Sequence, residues 1–235
     1  MEEIIMSVGN RIYLQRNLPS KELIEAFRKI PAAVIGDCMG RNCALHCSIH
    51  LMSNPSRNMC GPALTIQSRG GDNLFFHKAL EMSQEGDVIV MATSFCDTNS
   101  VVGENIACNA TFRKLGGLVF DAPIRDIAGI SRMELPIYAT GTTPGGPHKS
   151  APGEINVPIS CGNCYVKPGD IIVGDADGVV VVPLEDAEAV LEAARKYHLV
   201  DMHSQEEAKT GTWNREWIDA ALKAANVEII DGCCR

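Results

Sequence analysis

An arginine and an aspartate, Arg125 and Asp126, are adjacent in the stretch FDAPIRDIAG, residues 120–129. The planar guanidinium of arginine can hold a carboxylate through two parallel hydrogen bonds. The neighbouring aspartate offers the hard oxygen ligand that suits Mg²⁺ or Mn²⁺, a metal that keeps most of its waters. Together they could hold a 2-oxo acid, with the arginine on its carboxylate and the metal on its carboxylate and keto oxygens. Because an arbitrary Arg-Asp pair is more often a surface ion pair, this interpretation depends on its surroundings.

A glycine that opens a predicted helix supplies those surroundings. In SVVGENIACNA, Gly103, Glu104 and Asn105 lie where a loop enters a helix of about residues 103–114. The first amides of a helix have no internal acceptor and favour an anion, and a glycine lets a ligand approach the backbone. An ordinary turn glycine is the alternative. The Arg-Asp pair follows the next strand, and ligands gather at the carboxyl ends of strands in open α/β sheets.

The elements that must position these residues can be predicted from hydrophobic spacing and turn residues. SKELIEAFRKIP predicts a helix of about residues 20–30 that is capped by Ser20 and closed by Pro31. Further along, CGPALTIQ, DVIVMAT and GLVF predict strands, and two helices separate them. After these, LPIYATG, GNCYVKPGDIIVGD and GVVVVP predict short strands with Pro-Gly-Asp and Asp-Gly turns. Two helices, LEDAEAVLEAARKYHLV and NREWIDAALKAAN (capped by Asn214), complete a single α/β domain over residues 1–235, with a helical extension of about 184–235.

Composition excludes several classes of protein. The formal net charge is −8 and charged residues make up 21% of 235 residues, which disfavours a nucleic-acid-binding surface. No apolar run is long enough to span a bilayer, and the acidic start lacks the pattern of a secretory signal. The ten cysteines therefore predict reduced thiols in the cytoplasm. We expect neither a nucleic-acid nor a membrane partner.

Other motifs that could do chemistry have simpler interpretations. CGNC, Cys161–Cys164, has the spacing of a redox pair, but no second C-x-x-C accompanies it, so we expect turn or strand cysteines. His77 lies among apolar residues and is expected to be partly buried. TGTTPGGPHK lacks the phosphate-loop pattern and predicts a structural turn. Asp175 and Asp177 in GDADGVVVVP predict an Asp-Gly turn instead of a calcium loop.

Several ordered blocks resemble the RraA-like family, which includes 4-hydroxy-4-methyl-2-oxoglutarate/4-carboxy-4-hydroxy-2-oxoadipate aldolases and regulators of ribonuclease E. The blocks are IGDCMGR, GDNLFFHKAL, GENIACNATFRKLGGLVFDAPIRDIAGI, PIYATGTTPGGP and GEINVPISCGNCYVKPGDIIVGDADGVVVVP. They run from about Asp37 to the helix after Pro183, which is most of the chain. The resemblance implies a mixed-sheet α/β sandwich with flanking helices, of the swivelling β/β/α type, that assembles into homotrimers or homohexamers.

The resemblance also implies roles for particular residues. In the aldolase branch, the G-E-x-x segment gives backbone amides to a pyruvate moiety, here Gly103, Glu104, Asn105 and Ile106. The R-D pair gives the substrate arginine, Arg125, and the metal ligand, Asp126. Two departures are Asn105, where an apolar residue is usual, and FDAP in place of VIDG.

Aldolases of this family also use an acid from the C-terminal region of a neighbouring subunit. The corresponding stretch here, HLVDMHSQEEAKTG, offers Asp201, Glu206 or Glu207. The same stretch also fits a solvated helix end. Because of the two departures and this C-terminal stretch, the resemblance does not fix the length of the substrate or the specificity for its second half.

The resemblance, carried by these residues, implies a lyase that uses Mg²⁺ or Mn²⁺ to cleave a 4-hydroxy-2-oxo acid to pyruvate, with oxaloacetate decarboxylation as a side activity. Asp97, in SFCDTNS, is a candidate to hold the water that removes the 4-hydroxyl proton, and a plain polar-loop aspartate is the alternative. The second hypothesis is a non-catalytic regulator that binds a ribonuclease. The intact Gly103-Glu104 and Arg125-Asp126 set favours the enzyme.

Overall fold

The structure is a computed structural model that describes residues 8–150 and 152–233. The start of the acidic N-terminal stretch and Cys234 lie outside these residues. The chain divides into two compact units, residues 1–195 and 196–235.

The order of the elements follows the predicted pattern, with additions. The strands are β1 (Arg11–Ile12), β2 (His50–Leu51), β3 (Met59–Ser68), β4 (Val88–Ala92), β5 (Gly117–Phe120), β6 (Ile137–Ala139), β7 (Gly153–Ile155), β8 (Ile159–Cys161), β9 (Cys164–Val166), β10 (Ile171–Asp175) and β11 (Gly178–Val182). The helices are α1 (Lys21–Phe27), α2 (Ala32–Cys38), α3 (Leu74–Met82), α4 (Glu104–Phe112), α5 (Ile127–Ile130), α6 (Ala187–Thr210) and α7 (Trp217–Ala224). A 3₁₀ turn, Leu184–Asp186, precedes α6.

A mixed sheet forms the centre of the first unit. Strands β3, β4, β5 and β6 are parallel neighbours. The long strand β3 also pairs antiparallel with β7 through its carboxyl half and with β10 through its amino half. Strand β11 pairs with β10, β1 with β7 and β2 with β6. The predicted mixed-sheet α/β architecture with flanking helices is therefore confirmed.

The parallel strands are buried on both faces, as their continuous apolar sequences predict. In β4, Ile89 and Met91 face one apolar cluster while Val88 and Val90 face another. The first cluster packs the sheet against α3, α4 and α5, and the second packs it against β8–β9 and β10–β11. A third cluster joins β10 and β11 to α1, α2 and the start of α6. These layers pack against the parallel strands whose ends carry the candidate site.

Helix α1 begins where the sequence predicts, because Ser20 Oγ accepts a hydrogen bond of 3.1 Å from Leu23 N. Helix α2 was not predicted. It begins directly after Pro31, which ends the preceding turn and fits the first turn of a helix. Its first amide, Ala32 N, donates to Asp175 Oδ2 at 2.8 Å, and the other oxygen of Asp175 accepts from Asp177 N. The Asp-Gly turn is thus part of the scaffold.

The CGNC motif is a β-hairpin. Cys161 and Cys164 are paired residues of β8 and β9, and Gly162 and Asn163 form the two-residue turn between them with φ of 56° and 64°. Positive φ at both turn positions is the geometry that matches the twist of a hairpin. Both cysteines are buried free thiols, so the prediction of turn or strand cysteines is confirmed.

The second unit is helical and exposes apolar side chains. Helix α7 has Trp217 at 64% exposure and no buried residue, and Asn214 Oδ1 accepts from Glu216 N just before it. Within the described ranges, no helix combines the length and apolar character that a membrane span requires.

Candidate active site

Four loops meet at one edge of the sheet. Because β3, β4, β5 and β6 are parallel, their carboxyl ends share that edge. The loop after β4 leads to Gly103, and the segment after β5 carries Arg125 and Asp126. A hydrogen bond from Arg125 N to Val102 O, of 3.0 Å, joins the two segments. The structure thus brings together the residues that the sequence places 22 positions apart.

Gly103 is the residue before α4 and has an extended backbone, with φ −136° and ψ −171°. A side chain here would collide with the site: a β-carbon on Gly103 would overlap Asp126 Oδ2 and lie 3.0 Å from Arg125 Nε. A larger residue at this position would have to displace Asp126 Oδ2. The backbone of Gly103 forms the floor under both charged side chains.

The start of α4 leaves two amides for a ligand. Glu104 N donates to Asp126 Oδ2 at 3.0 Å, and Ile106 N donates to Gly103 O at 3.1 Å. Among the described residues, the amides of Gly103 and Asn105 have no such acceptor. Of the four predicted amides, these two can bind an anion without displacing an existing bond.

Arg125 and Asp126 are both half-exposed, each with 45% of its side chain accessible. Arg125 Nε lies 3.6 Å from Asp126 Oδ2. Asp126 has a left-handed backbone, with φ 61° and ψ 38°, and precedes α5. Aspartate tolerates this conformation better than most residues, and strained backbone is concentrated at functional sites. The pair is presented to solvent by a sharp turn.

A second carboxylate lies beside this turn. The side chain of Glu104 rests on the backbone of α5, because a β-carbon on Gly129 would overlap the Glu104 carboxylate. The glycine lets the Glu104 carboxylate approach the backbone of the short helix closely. The Glu104 carboxylate therefore lies over α5, the short helix that Asp126 precedes.

The donor set fits a hydrated divalent cation. Asp126 uses Oδ2 for Glu104 N, which leaves Oδ1 for a metal. The part of the chain that the structure describes contains no group of three or more His, Cys, Asp or Glu that could hold a metal ion. A single half-exposed carboxylate suits Mg²⁺ or Mn²⁺, whose remaining ligands are water and substrate oxygens.

The loop after β6 also borders the site, although its sequence indicated only a turn. Ser100 Oγ donates to Gly145 O at 2.7 Å, and Asn99 Nδ2 donates to Gly146 O at 2.7 Å. A β-carbon on Gly146 would lie 3.1 Å from Arg125 Nη1. The signal that could have identified this loop is the Gly-Gly pair, Gly145-Gly146, in the segment that follows the fourth parallel strand.

Asp97 lies exposed in the loop between β4 and α4. Its neighbour Thr98 contributes a carbonyl that lies close to Gly145, on the loop that also reaches Arg125. Within the described ranges, no hydrogen bond or ion pair joins Asp97 to Arg125 or Asp126. The role of Asp97 in holding a water stays a prediction.

Asp121 was not predicted to act at the site, and it is buried directly behind it. Its Oδ1 accepts from Thr93 N at 2.6 Å and Thr93 Oγ1 at 2.9 Å, and its Oδ2 accepts from Phe95 N at 3.4 Å. Burial raises the pKa of Asp121, and these hydrogen bonds oppose that rise. Ser94 and Phe95 have φ of 59° and 56°, a left-handed conformation that costs about 1–2 kcal/mol per residue.

The acidic residues of the C-terminal stretch make contacts within α6. Asp201 accepts from Gln205, Glu206 pairs with Lys209 at 2.6 Å, and Glu207 lies 3.4 Å from His203. Their predicted role in a neighbouring subunit stays a prediction.

Comparison with known proteins identifies the family. The family description RraA-like, Aldolase/RraA, matches residues 24–181. The chain belongs to the RraA-like family. A Halalkalibacterium halodurans protein provisionally named 4-hydroxy-4-methyl-2-oxoglutarate aldolase is 39% identical over 175 residues, which are 74% of this chain and 83% of that protein.

Solved structures show the same RraA-like fold. Streptomyces coelicolor RraAS2, described as an unusual member of the RNase ES inhibitor RraA protein family, has 26% identity and a TM-score of 0.71 over 81% of this chain and 99% of its own. An uncharacterized Pseudomonas syringae protein has 22% identity and a TM-score of 0.72 over 83% of this chain and 96% of its own. The resemblance predicted from the sequence blocks is confirmed.

Proposed function

We propose that this RraA-like chain is a divalent-metal-dependent aldolase that cleaves a 4-hydroxy-2-oxo acid of the 4-hydroxy-4-methyl-2-oxoglutarate type to pyruvate. Oxaloacetate decarboxylation is the proposed side activity, since both reactions pass through the enolate of pyruvate. The observation that carries the proposal is that Gly103, Arg125 and Asp126 lie together. The Asp126 carboxylate, the Arg125 guanidinium and the amides at the start of α4 all lie next to the Gly103 backbone. The name of the Halalkalibacterium relative supports the same activity.

The chain supplies positioning and charge. Arg125 holds the carboxylate of the 2-oxo acid, and the amides of Gly103 and Asn105 bind its oxygens at the start of α4. Asp126 holds the cation, Mg²⁺ or Mn²⁺. When bound, the cation supplies a Lewis acid that stabilises negative charge on the substrate oxygens.

The bond changes in the proposed reaction balance without a further reactant. A water held by Asp97 takes the proton of the 4-hydroxyl, and the O–H electron pair forms the C4=O double bond of the second carbonyl product. The carbon–carbon bond between C3 and C4 breaks, and its electron pair passes to the C2–C3 unit to give an enolate. Water then protonates C3 to give pyruvate. The positive charge of Arg125 favours the enolate over the neutral ketone because negative charge develops beside it.

We also propose a cytoplasmic homotrimer or homohexamer, with no nucleic-acid or membrane partner, as a single RraA-like domain with a C-terminal helical extension. An acid of that extension, Asp201, Glu206 or Glu207, would enter the site of a neighbouring subunit. The exposed Trp217 and the absence of buried residues from α7 support an unfilled contact surface. Mixing an Asp126→Ala chain with a chain truncated before Asp201 should restore activity if subunits share a site, provided that both variants fold and assemble.

The test of the main proposal is release of pyruvate from a panel of 4-hydroxy-2-oxo acids and oxaloacetate, with and without a chelator. Activity should disappear with the chelator and return with added Mg²⁺ or Mn²⁺. Absence of release from every substrate, or full release in a metal-free preparation, would contradict it. The likeness to RraAS2 supports a second candidate, a non-catalytic regulator of a ribonuclease. Inhibition of a ribonuclease by a preparation that releases no pyruvate would favour that second function.

A further inference from the structure

The buried carboxylate of Asp121 connects the two chain segments that carry the candidate active site. Asp121 directly follows β5 and lies four residues before Arg125. Its carboxylate oxygens accept hydrogen bonds from Thr93 and Phe95, which lie at the start of the loop that ends at Gly103. With 1% of its surface exposed, Asp121 cannot contact a substrate directly. Any effect on catalysis must therefore act through the loop.

The loop needs such an anchor at its beginning. Ser94 and Phe95 take a left-handed conformation that neither residue type favours, and together with Thr93 they turn their amides toward one carboxylate. The far end of the loop is held differently, by the bonds of Asn99 and Ser100 to the Gly145-Gly146 turn. Loss of the Asp121 acceptors would remove the hydrogen bonds that hold the amides of Thr93 and Phe95 at the start of the loop.

We propose that Asp121 is a positioning residue, which holds the loop of residues 93–102 in the conformation that sets Gly103 against Arg125 and Asp126. This inference rests on the proposed function for its kinetic consequence, but its structural consequence stands separately. An isosteric Asp121→Asn change keeps the size of the side chain and replaces one acceptor oxygen with an NH₂ donor. The single oxygen that remains cannot accept from both amides in this geometry, because Thr93 N and Phe95 N donate to different oxygens of Asp121.

The matched control is Asp170→Asn. Asp170 is also buried, with 2% exposure, and its carboxylate accepts from two backbone amides, Lys167 N at 2.7 Å and Leu184 N at 3.1 Å. Burial raises the pKa of this carboxyl group too. Because Asp170 caps a turn before β10 and makes no bond to the loops of the site, its change should disturb stability without disturbing the loop.

The experiment measures amide hydrogen exchange of the whole protein by mass spectrometry and, in parallel, the kinetics of pyruvate release. Asp121→Asn should speed exchange in residues 93–106 by about 10-fold or more and lower kcat/KM by about 10²-fold, the scale of a displacement of about 1 Å at an active site. Asp170→Asn should change neither. Adding Ser94→Gly to Asp121→Asn should slow the exchange again and restore part of kcat/KM, because glycine adopts the left-handed conformation without strain.

Unchanged exchange in the loop of a folded Asp121→Asn protein would overturn the proposal, and so would equal loosening by Asp170→Asn. If Asp121→Asn fails to fold, Thr93→Val decides instead, since it removes only the hydroxyl donor to Asp121 and should speed exchange in the same loop alone. If the unchanged protein releases no pyruvate, the proposed function fails, and the exchange measurements still test the anchoring role.

Discussion

Two short motifs of this chain contain residue types that can do chemistry, and the fold places them in opposite environments. The Arg125-Asp126 pair lies at the open edge of the sheet, with 45% of each side chain exposed. Cys161 and Cys164 lie in a hairpin that packs against the sheet, at 0% and 7% exposure. Burial raises the pKa of Cys161 well above its ordinary value and also raises that of Cys164.

The comparison shows that reactivity depends on where a motif lies relative to the layers. A thiol reacts as its thiolate, so a buried thiol with a raised pKa is a small apolar side chain at neutral pH. The carboxylate of Asp126, by contrast, is half-exposed and can exchange water for a ligand. Exposure and backbone placement separate the two motifs better than residue spacing does.

The largest expected effect comes from Asp126. Asp126→Asn should lower metal-dependent pyruvate release by about 10³-fold, because the amide is a far weaker ligand for a hard cation. The control is Asp177→Asn, an exposed aspartate in a turn elsewhere. Steady-state kinetics over a range of Mg²⁺ and Mn²⁺ concentrations provide the measurement. Retention of most activity at ordinary metal concentrations would show that Asp126 is not the metal ligand.

A smaller loss is expected for Arg125→Lys, about 10²-fold in kcat/KM, because lysine keeps the charge and loses the two parallel hydrogen bonds. Arg132→Lys, at another exposed arginine just after α5, is the matched control. Both variants should have the melting temperature of the unchanged protein within a few degrees. Equal kinetics for the two variants would make Arg125 an ordinary surface residue.

Gly103→Ala tests whether close approach of the backbone is required. Its β-carbon would overlap Asp126 Oδ2, so we expect a loss of activity on the order of 10-fold or more. Gly36→Ala, in α2, is the control, since the nearest atom to the added β-carbon would be Val180 Cγ1 at 3.8 Å. Alanine should be neutral or slightly stabilising there, by up to about 1 kcal/mol. Circular dichroism melts and pyruvate release distinguish the two outcomes.

The smallest effect on activity is expected at the hairpin. Cys161→Ala and Cys164→Ala should leave kcat/KM within about twofold of the unchanged protein and cost about 1 kcal/mol of stability each. In the native protein at pH 8, iodoacetamide should label the exposed Cys47 and Cys108 and spare the hairpin. Native labelling of Cys161, or a redox-dependent loss of activity that these changes abolish, would show that the hairpin is not inert.

Much of the scaffold could be predicted from local pattern. The cap at Ser20, the apolar runs of β4 and β5, and the glycine start of α4 follow from rules that act over a few residues. The candidate residues Gly103, Arg125 and Asp126 were also identifiable, because strand ends and helix starts have recognisable residue types. Local sequence thus predicted these elements and the residues at their ends.

Other features depend on contacts between residues far apart in the chain. Helix α2 has its first amide bonded to Asp175, 143 residues away, so no local signal marks that cap. The overlap of Gly103 with Asp126, the use of Glu104 N by Asp126 and the anchoring of Thr93 by Asp121 likewise arise only when parallel strands bring their carboxyl ends together. Local sequence determines which groups could do chemistry. The tertiary structure decides which of them remain exposed and which are buried, because only packing fixes distance and solvent access.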